Sequence, residues 1–174
     1  MNTKRLTSLS MLIAIYVVLS IITPVKIANF KFTFEAFPIL IAGLLFGPID
    51  GLMVGGIGSF IYQLLFSGYG ITATTILWVL PHALSGLIVG AYAKFKKFEL
   101  SVIDIGLISI ISALLVTVLN VLALYVDSKL YGYYSYVLVF GNVLVKVLIG
   151  IILAIVYTSI LPKLIDFLRK QMKR

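Results

Sequence analysis

Lys146 stands inside an apolar run that occupies residues 136–161. In hydrocarbon a run of that length can pair all of its backbone groups internally only as a helix. At about 1.5 Å of rise per residue, Lys146 lies roughly 15 Å below the mouth of the run, near the middle of a hydrocarbon layer about 30 Å thick. That is too deep for easy snorkelling, and an ammonium there is disfavoured by about 3 kcal/mol or more unless it faces a polar cavity or an anionic partner. Asn142, one turn above on the same helical face, extends the polar stripe toward the mouth. Two readings are open: an anchor for a ligand, most simply a carboxylate, or a structural lysine bonded to helix carbonyls or to a buried acid. The acids Glu35, Asp50, Glu99, Asp104, Asp127 and Asp166 all fall outside the apolar cores. No intramembrane salt-bridge partner is therefore expected, which favours the ligand anchor.

The rest of the chain is apolar enough to make this a membrane problem throughout. With 61% hydrophobic and 11% charged residues, it lies outside the range of soluble globular domains and is expected to be an integral membrane protein. Cysteine is absent, which excludes disulfides, thiolate catalysis and cysteine metal sites. One histidine and few acids leave an intramembrane metal site without ligands, so neither metal nor cofactor is expected. The net charge of +8 does not call for nucleic acid, because the basic residues flank apolar runs and mostly fall on one side, as positive-inside topology requires.

Six spans are predicted, making a single all-α, polytopic membrane domain over residues 1–174. The first, residues 6–22, follows Lys4 and Arg5. No small-residue cleavage site follows it and Pro24 breaks it, so it reads as a retained helix. Ser10 and Ala14 form a small-xxx-small pair that lets another helix approach. In residues 23–35, Phe30, Phe32 and Phe34 alternate with polar residues, which is strand periodicity. A connection of that length fits an ordered lid and an interfacial aromatic segment equally well. The second span, residues 36–46, is short for a full crossing, and Gly47-Pro48 turns the chain after it.

The third span, residues 49–66, follows Gly47 and continues its four-residue spacing with Gly51 and Gly55, adding Gly56 and Gly58. That is a close-packing face. No phosphate-loop pattern G-x-x-x-x-G-K-[ST] occurs, so ATP is not bound by that route. The fourth span, residues 75–93, contains Trp78, Pro81, His82 and Ser85 and ends at Lys94, Lys96 and Lys97. The fifth, residues 102–126, carries Ser109, Ser112, Thr117 and Asn120. The sixth, residues 136–161, ends at Pro162 before a basic amphipathic tail.

Six crossings place both termini on one side. Lys4, Arg5, Lys94, Lys96, Lys97, Lys163, Arg169, Lys170, Lys173 and Arg174 fall on that side, against Lys26, Lys31 and Lys129 on the other, so both termini are expected in the cytoplasm. With alternate helices running outward and inward, Tyr62, Gln63, Trp78, His82, Asn120, Asn142 and Lys146 all lie in the outer half or near the midplane, and the inner halves are mainly aliphatic and glycine. A channel needs polar lining along its whole length, and an alternating-access carrier normally shows an internal repeat or broken midplane helices. A cup open to the outside fits better, a binder of a small organic anion floored by one cation. Trp78 fits ring stacking and an interfacial belt equally, and His82, sharing its face, is favoured as site-lining over a helix-contact residue. A lone histidine without an intramembrane acid argues against an enzyme. A purely structural subunit leaves the midplane lysine unexplained.

The residues Lys31-Phe32-Thr33-Phe34-Glu35-Ala36-Phe37-Pro38, Leu45-Phe46-Gly47-Pro48 with the glycine series to Gly58, and Ser85-Gly86-Leu87-Ile88-Val89-Gly90 resemble the S components of energy-coupling factor vitamin transporters. The resemblance extends to length and six-helix plan. It implies an outward pocket capped by the loop between helices one and two, with Phe34 and Lys31 of that loop at the ligand. It further implies inward delivery only through a transmembrane coupling protein and two cytoplasmic ATPases, in a cell membrane, with lipid around the bundle. Ser10 and Ala14 look like the first-helix contact to the coupling protein, and Asn142 and Lys146 are similar in placement to a familiar sixth-helix ligand contact. The loop motif and glycine-rich third helix look most like the folate group. Pantothenate, with one carboxylate, and riboflavin, with a flat ring, remain the alternatives.

Overall fold

The computed structural model describes residues 3–22, 34–68 and 70–171 in full, together with the backbone of residues 25–27, 30–32 and 172. In chain order the elements are α1 (Thr3–Ile22), β1 (Val25–Ile27), β2 (Phe30–Phe32), α2 (Ala36–Phe46), α3 (Pro48–Phe66), α4 (Thr75–Phe95), α5 (Val102–Leu130), α6 (Tyr136–Phe140) and α7 (Val143–Met172). Among the described residues, five stretches are long and apolar enough to cross a membrane, the fifth joining α6 to α7, and α2 is the shorter sixth helix. The chain is a multi-pass membrane protein. The strand periodicity before α2 resolves into a short antiparallel hairpin, with Val25 opposite Phe32, Lys26 opposite Lys31 and Ile27 opposite Phe30.

Glycine sets the helix directions. A Cβ at Gly51 would overlap the Gly86 carbonyl, one at Gly55 the His82 carbonyl, and one at Gly90 the backbone of Gly47, so α3 and α4 run antiparallel with their backbones in direct contact. Gly43 sits against Val89, where a Cβ would stand 2.8 Å from Val89 Cγ1, so α2 also packs closely on α4. Gly58 receives the ring of Tyr16 from α1, and Gly106 and Gly150 seat Thr158 and Ala113 at the antiparallel α5–α7 contact. The turn from α2 into α3 depends on Gly47, whose φ of +103° is a backbone conformation that other residues rarely adopt, and Pro48 then opens α3. At the α4–α5 turn Ser101 and Asp104 cap α5 reciprocally, and Lys96 lies 3.1 Å from Asp104, whose carboxylate raises the lysine's pKa.

The sixth span departs from expectation twice. It breaks at residues 141–142 and resumes as α7, and it then continues through Pro162 to Met172 where Pro162 had been expected to stop it. Interior proline costs about 3 kcal/mol. Here Leu161 and Ile165 are fully buried in the core with Leu164 and Leu168 beside them, and Arg169 donates to the Leu44 carbonyl at 3.4 Å. Burial of those side chains at about 1.5–3 kcal/mol each outweighs the lost bond.

The core fills the half of the bundle that holds both ends of the chain, where Leu9, Tyr16, Leu40, Leu44, Val89 and Ile105 are buried together. Arg5 pairs with the buried Asp50 at this end and also reaches the Phe46 carbonyl. Asp50 had been counted among acids outside the cores. Its ion pair with Arg5 is what lets it sit inside.

Gly51→Ala should therefore overpack the α3–α4 contact and lower the apparent melting temperature in detergent, by an amount equivalent to about 1–3 kcal/mol or more. Gly56→Ala, where a Cβ would meet only Ala83 Cβ at 3.4 Å, is the matched control and should melt within a degree or two of the unsubstituted protein.

Candidate functional site

The tight α3–α4 contact sends the remaining space to the other side of α4. A cavity of about 690 Å³ opens between α2, α4, α5, α6 and α7, in the half away from the chain ends, and this is an ordinary size for a small-molecule site. Trp78, His82, Asn120, Asn142 and Lys146 all line it. Tyr62 and Gln63 stand apart, because α3 lies behind α4, and Tyr62 instead packs against the core cluster. Phe34 is not in the wall, but its ring meets Tyr157, which is, at 6.4 Å between centroids. Lys31 lies on β2, and its side chain is outside the described residues.

Lys146 occupies the first turn of α7, its amide bonded to the Asn142 carbonyl at 3.1 Å, so it stands near the start of a restarted helix and not in the interior of an unbroken one. Unpaired amides in the first turn carry partial positive charge. This wall of the cavity is thus electropositive.

The opposite pole was not anticipated. Glu35, counted in the sequence as an acid outside the apolar cores, lines the cavity and precedes α2 directly. The chain after β2 brings it down into the bundle, because Phe34 and Phe37 both pack on Tyr157, fourteen residues into α7 and about 21 Å along its axis. This also explains why α2 is short. Ser20 of α1 donates to Glu35 Oε2 at 2.8 Å, and His82 Nε2 lies 3.8 Å from Glu35 Oε1, too long for a hydrogen bond. One turn before Ser20, Tyr16 meets the His82 ring edge-on at 5.8 Å, and Gly55 lets α3 press on the His82 carbonyl. Histidine and acid are held in place by α1 and α3, neither of which lines the cavity.

Hydroxyl groups fill the deep end. Ser85 and Ser112 share a hydrogen bond of 2.5 Å, with Ser109 one turn away. Ser109 Oγ, Asn120 Oδ1 and Tyr157 Oη are buried with no hydrogen-bond partner among the described residues, and all three residues line the cavity. Leaving a buried polar atom unpaired costs about 1–3 kcal/mol, so three in one wall mark a site suited to a polar ligand. Sequence reading missed Glu35, Ser85, Ser109, Ser112 and Tyr157 as wall residues. The serines carried a signal, since Ser109 and Ser112 share a helical face with Asn120 at spacings of three and eight.

Residues 4–162 match the family described as ECF transporter, substrate-specific component. The chain belongs to that family. Members of that family are called S components, after the substrate-specific component in its description. UPF0397 proteins of Streptococcus pneumoniae serotype 19F (strain G54) and of S. pneumoniae strain 70585 are each 32% identical to it over 102 residues, 58% of this chain and 54% of theirs. The chain thus spans about half the length of those curated relatives in the match. In fold it resembles FolT, in a crystal structure bound with folic acid, with a TM-score of 0.70 and 23% identity over 91% of each chain.

If the Tyr157 hydroxyl is unpaired in the ligand-free S component, Tyr157→Phe should leave its melting temperature in detergent unchanged or raise it, by the equivalent of about 1 kcal/mol. A clear loss of stability would reveal a partner for that hydroxyl.

Proposed function

We propose that this S component captures folate from outside the cell for an ECF importer. The observation that supports this most directly is the cavity, with Lys146 in the first turn of α7 and three polar atoms in its walls that have no partner among the described residues. Folic acid carries a flat fused ring at one end and a glutamate tail with carboxylates at the other. The tail suits the ammonium of Lys146 with the Asn142 amide, and the ring suits stacking beside Trp78 with hydrogen bonds from His82, Asn120 and the hydroxyls of the deep end. Likeness in fold to FolT, whose structure holds folic acid, supports the same choice.

The basic residues of the chain-end half, Arg5, Lys94, Lys96 and Arg169 among them, favour that half in the cytoplasm, with the cavity facing outward. Lys31, Phe34, Tyr62 and Gln63 act in this reading through the cap and its support. Ser10 and Ala14 are exposed on α1 beside the exposed Met11, open for a transmembrane coupling protein that works with two ATPases. The protein resides in the plasma membrane of a prokaryote, with both termini cytoplasmic.

Titration calorimetry of the purified chain against folic acid, pantothenate and riboflavin tests the assignment, with folic acid expected to bind tightest. Lys146→Ala should weaken that binding by about ten-fold or more, as expected for a charge-assisted hydrogen bond of about 1.5–3 kcal/mol. Tighter binding of pantothenate or riboflavin would replace folate. In liposomes the chain alone should bind its ligand without accumulating it, and sustained uptake without ATPases would overturn the energy-coupling role.

A further inference from the structure

Glu35 is a carboxylate inside a membrane-embedded cavity and, among the described residues, receives one hydrogen bond, from Ser20, on its two oxygens. An ionised carboxylate accepts about four hydrogen bonds, and desolvating it with fewer is costly. His82 at 3.8 Å does not complete the set. The carboxylate is only 22% exposed, so water does not freely replace the missing donors. Whatever enters the cavity meets an acceptor with open valences, in the same wall as Tyr157 Oη, which has no partner among the described residues.

Along α7, Tyr157 and Lys146 are eleven residues apart, about 16 Å of helix axis. The cavity therefore has an anionic acceptor at its deep end and a cation nearer its mouth. A ligand satisfying both is elongated, with adjacent N–H donors at one tip and a carboxylate at the other.

We propose that Glu35 is the specificity-determining residue of the site, accepting paired hydrogen bonds from an amidine-like ring edge, an N–H beside an exocyclic amino group, while Lys146 holds the carboxylate at the far end. Within the folate reading, on which this rests, the edge is the ring N–H and 2-amino group of the pterin. The ring enters first and the glutamate tail stays toward the mouth. Two parallel N–H···O bonds to one carboxylate fix orientation as well as affinity. A vitamin without such an edge leaves Glu35 unanswered and is rejected, because discrimination is strongest where a buried polar group of the site would be left unpaired.

The test compares Glu35→Gln with the unsubstituted chain, using folic acid, the folic acid analogue whose 2-amino group is replaced by methyl, and 4-aminobenzoylglutamate, which keeps the tail and lacks the pterin. Glu35→Gln should weaken folic acid at least about twenty-fold and leave 4-aminobenzoylglutamate within about two-fold. The unsubstituted protein should disfavour the 2-methyl analogue to a similar degree, and combining variant and analogue should cost little more than either alone, as interacting partners do. The analogue arm needs no substitution and so stands even if the variant folds poorly. Folic acid binding equally well to E35Q, or an equal loss for the tail-only probe, would overturn the role of Glu35 while leaving the folate assignment in place. Failure of the unsubstituted chain to bind folic acid would instead overturn that assignment, and this inference with it.

Discussion

Inside a hydrocarbon layer a charge or an unpaired polar atom cannot be left to water, and the arrangement of this bundle follows from how each one is answered. At the chain-end half Arg5 answers Asp50 and the site is closed. In the other half Glu35, His82 and Lys146 gather round a cavity with three polar atoms that have no hydrogen-bond partner among the described residues. That asymmetry separates structural polarity from polarity kept for a ligand.

The cavity exists because packing elsewhere is so close. Backbone contact between α3 and α4, permitted by Gly51 and Gly86, keeps α3 out of the site and leaves the other side of α4 to the cavity it shares with α5 and α7. α1 contributes without lining the cavity, since Tyr16 and Ser20, one turn apart, brace His82 and Glu35 from behind. Helices that look like lipid-facing packing thus set the geometry of groups on the opposite side of their neighbours. A substitution on such a helix would alter binding through position and not through contact.

Much of this plan could be read in the residues. The apolar runs marked the spans, with the α2 boundaries as expected and those of α1, α3, α4 and α5 within a few residues, because hydrocarbon forces long apolar runs into helices. Five of the residues singled out, Trp78, His82, Asn120, Asn142 and Lys146, meet at one cavity, because polar side chains within spans turn away from lipid. Tyr62 and Gln63 stand outside the cavity wall because depth along a helix says nothing about which side of a neighbour it occupies. Pro162 misled because local chain-breaking was outweighed by the burial of Leu161 and Ile165.

From sequence alone came what depends on local composition: membrane residence, the number and approximate limits of the spans, the clustering of basic residues at one end and the presence of a lysine that must face something polar. Glu35 could not be placed that way. It sits beside a hairpin, in a stretch whose composition suits a loop, and only the packing of Phe34 and Phe37 on Tyr157, some 120 residues later, carries it into the bundle. Whether an acid at a helix start ends in water or in a cavity is decided by contacts distant in sequence, and those exist only once the helices have packed.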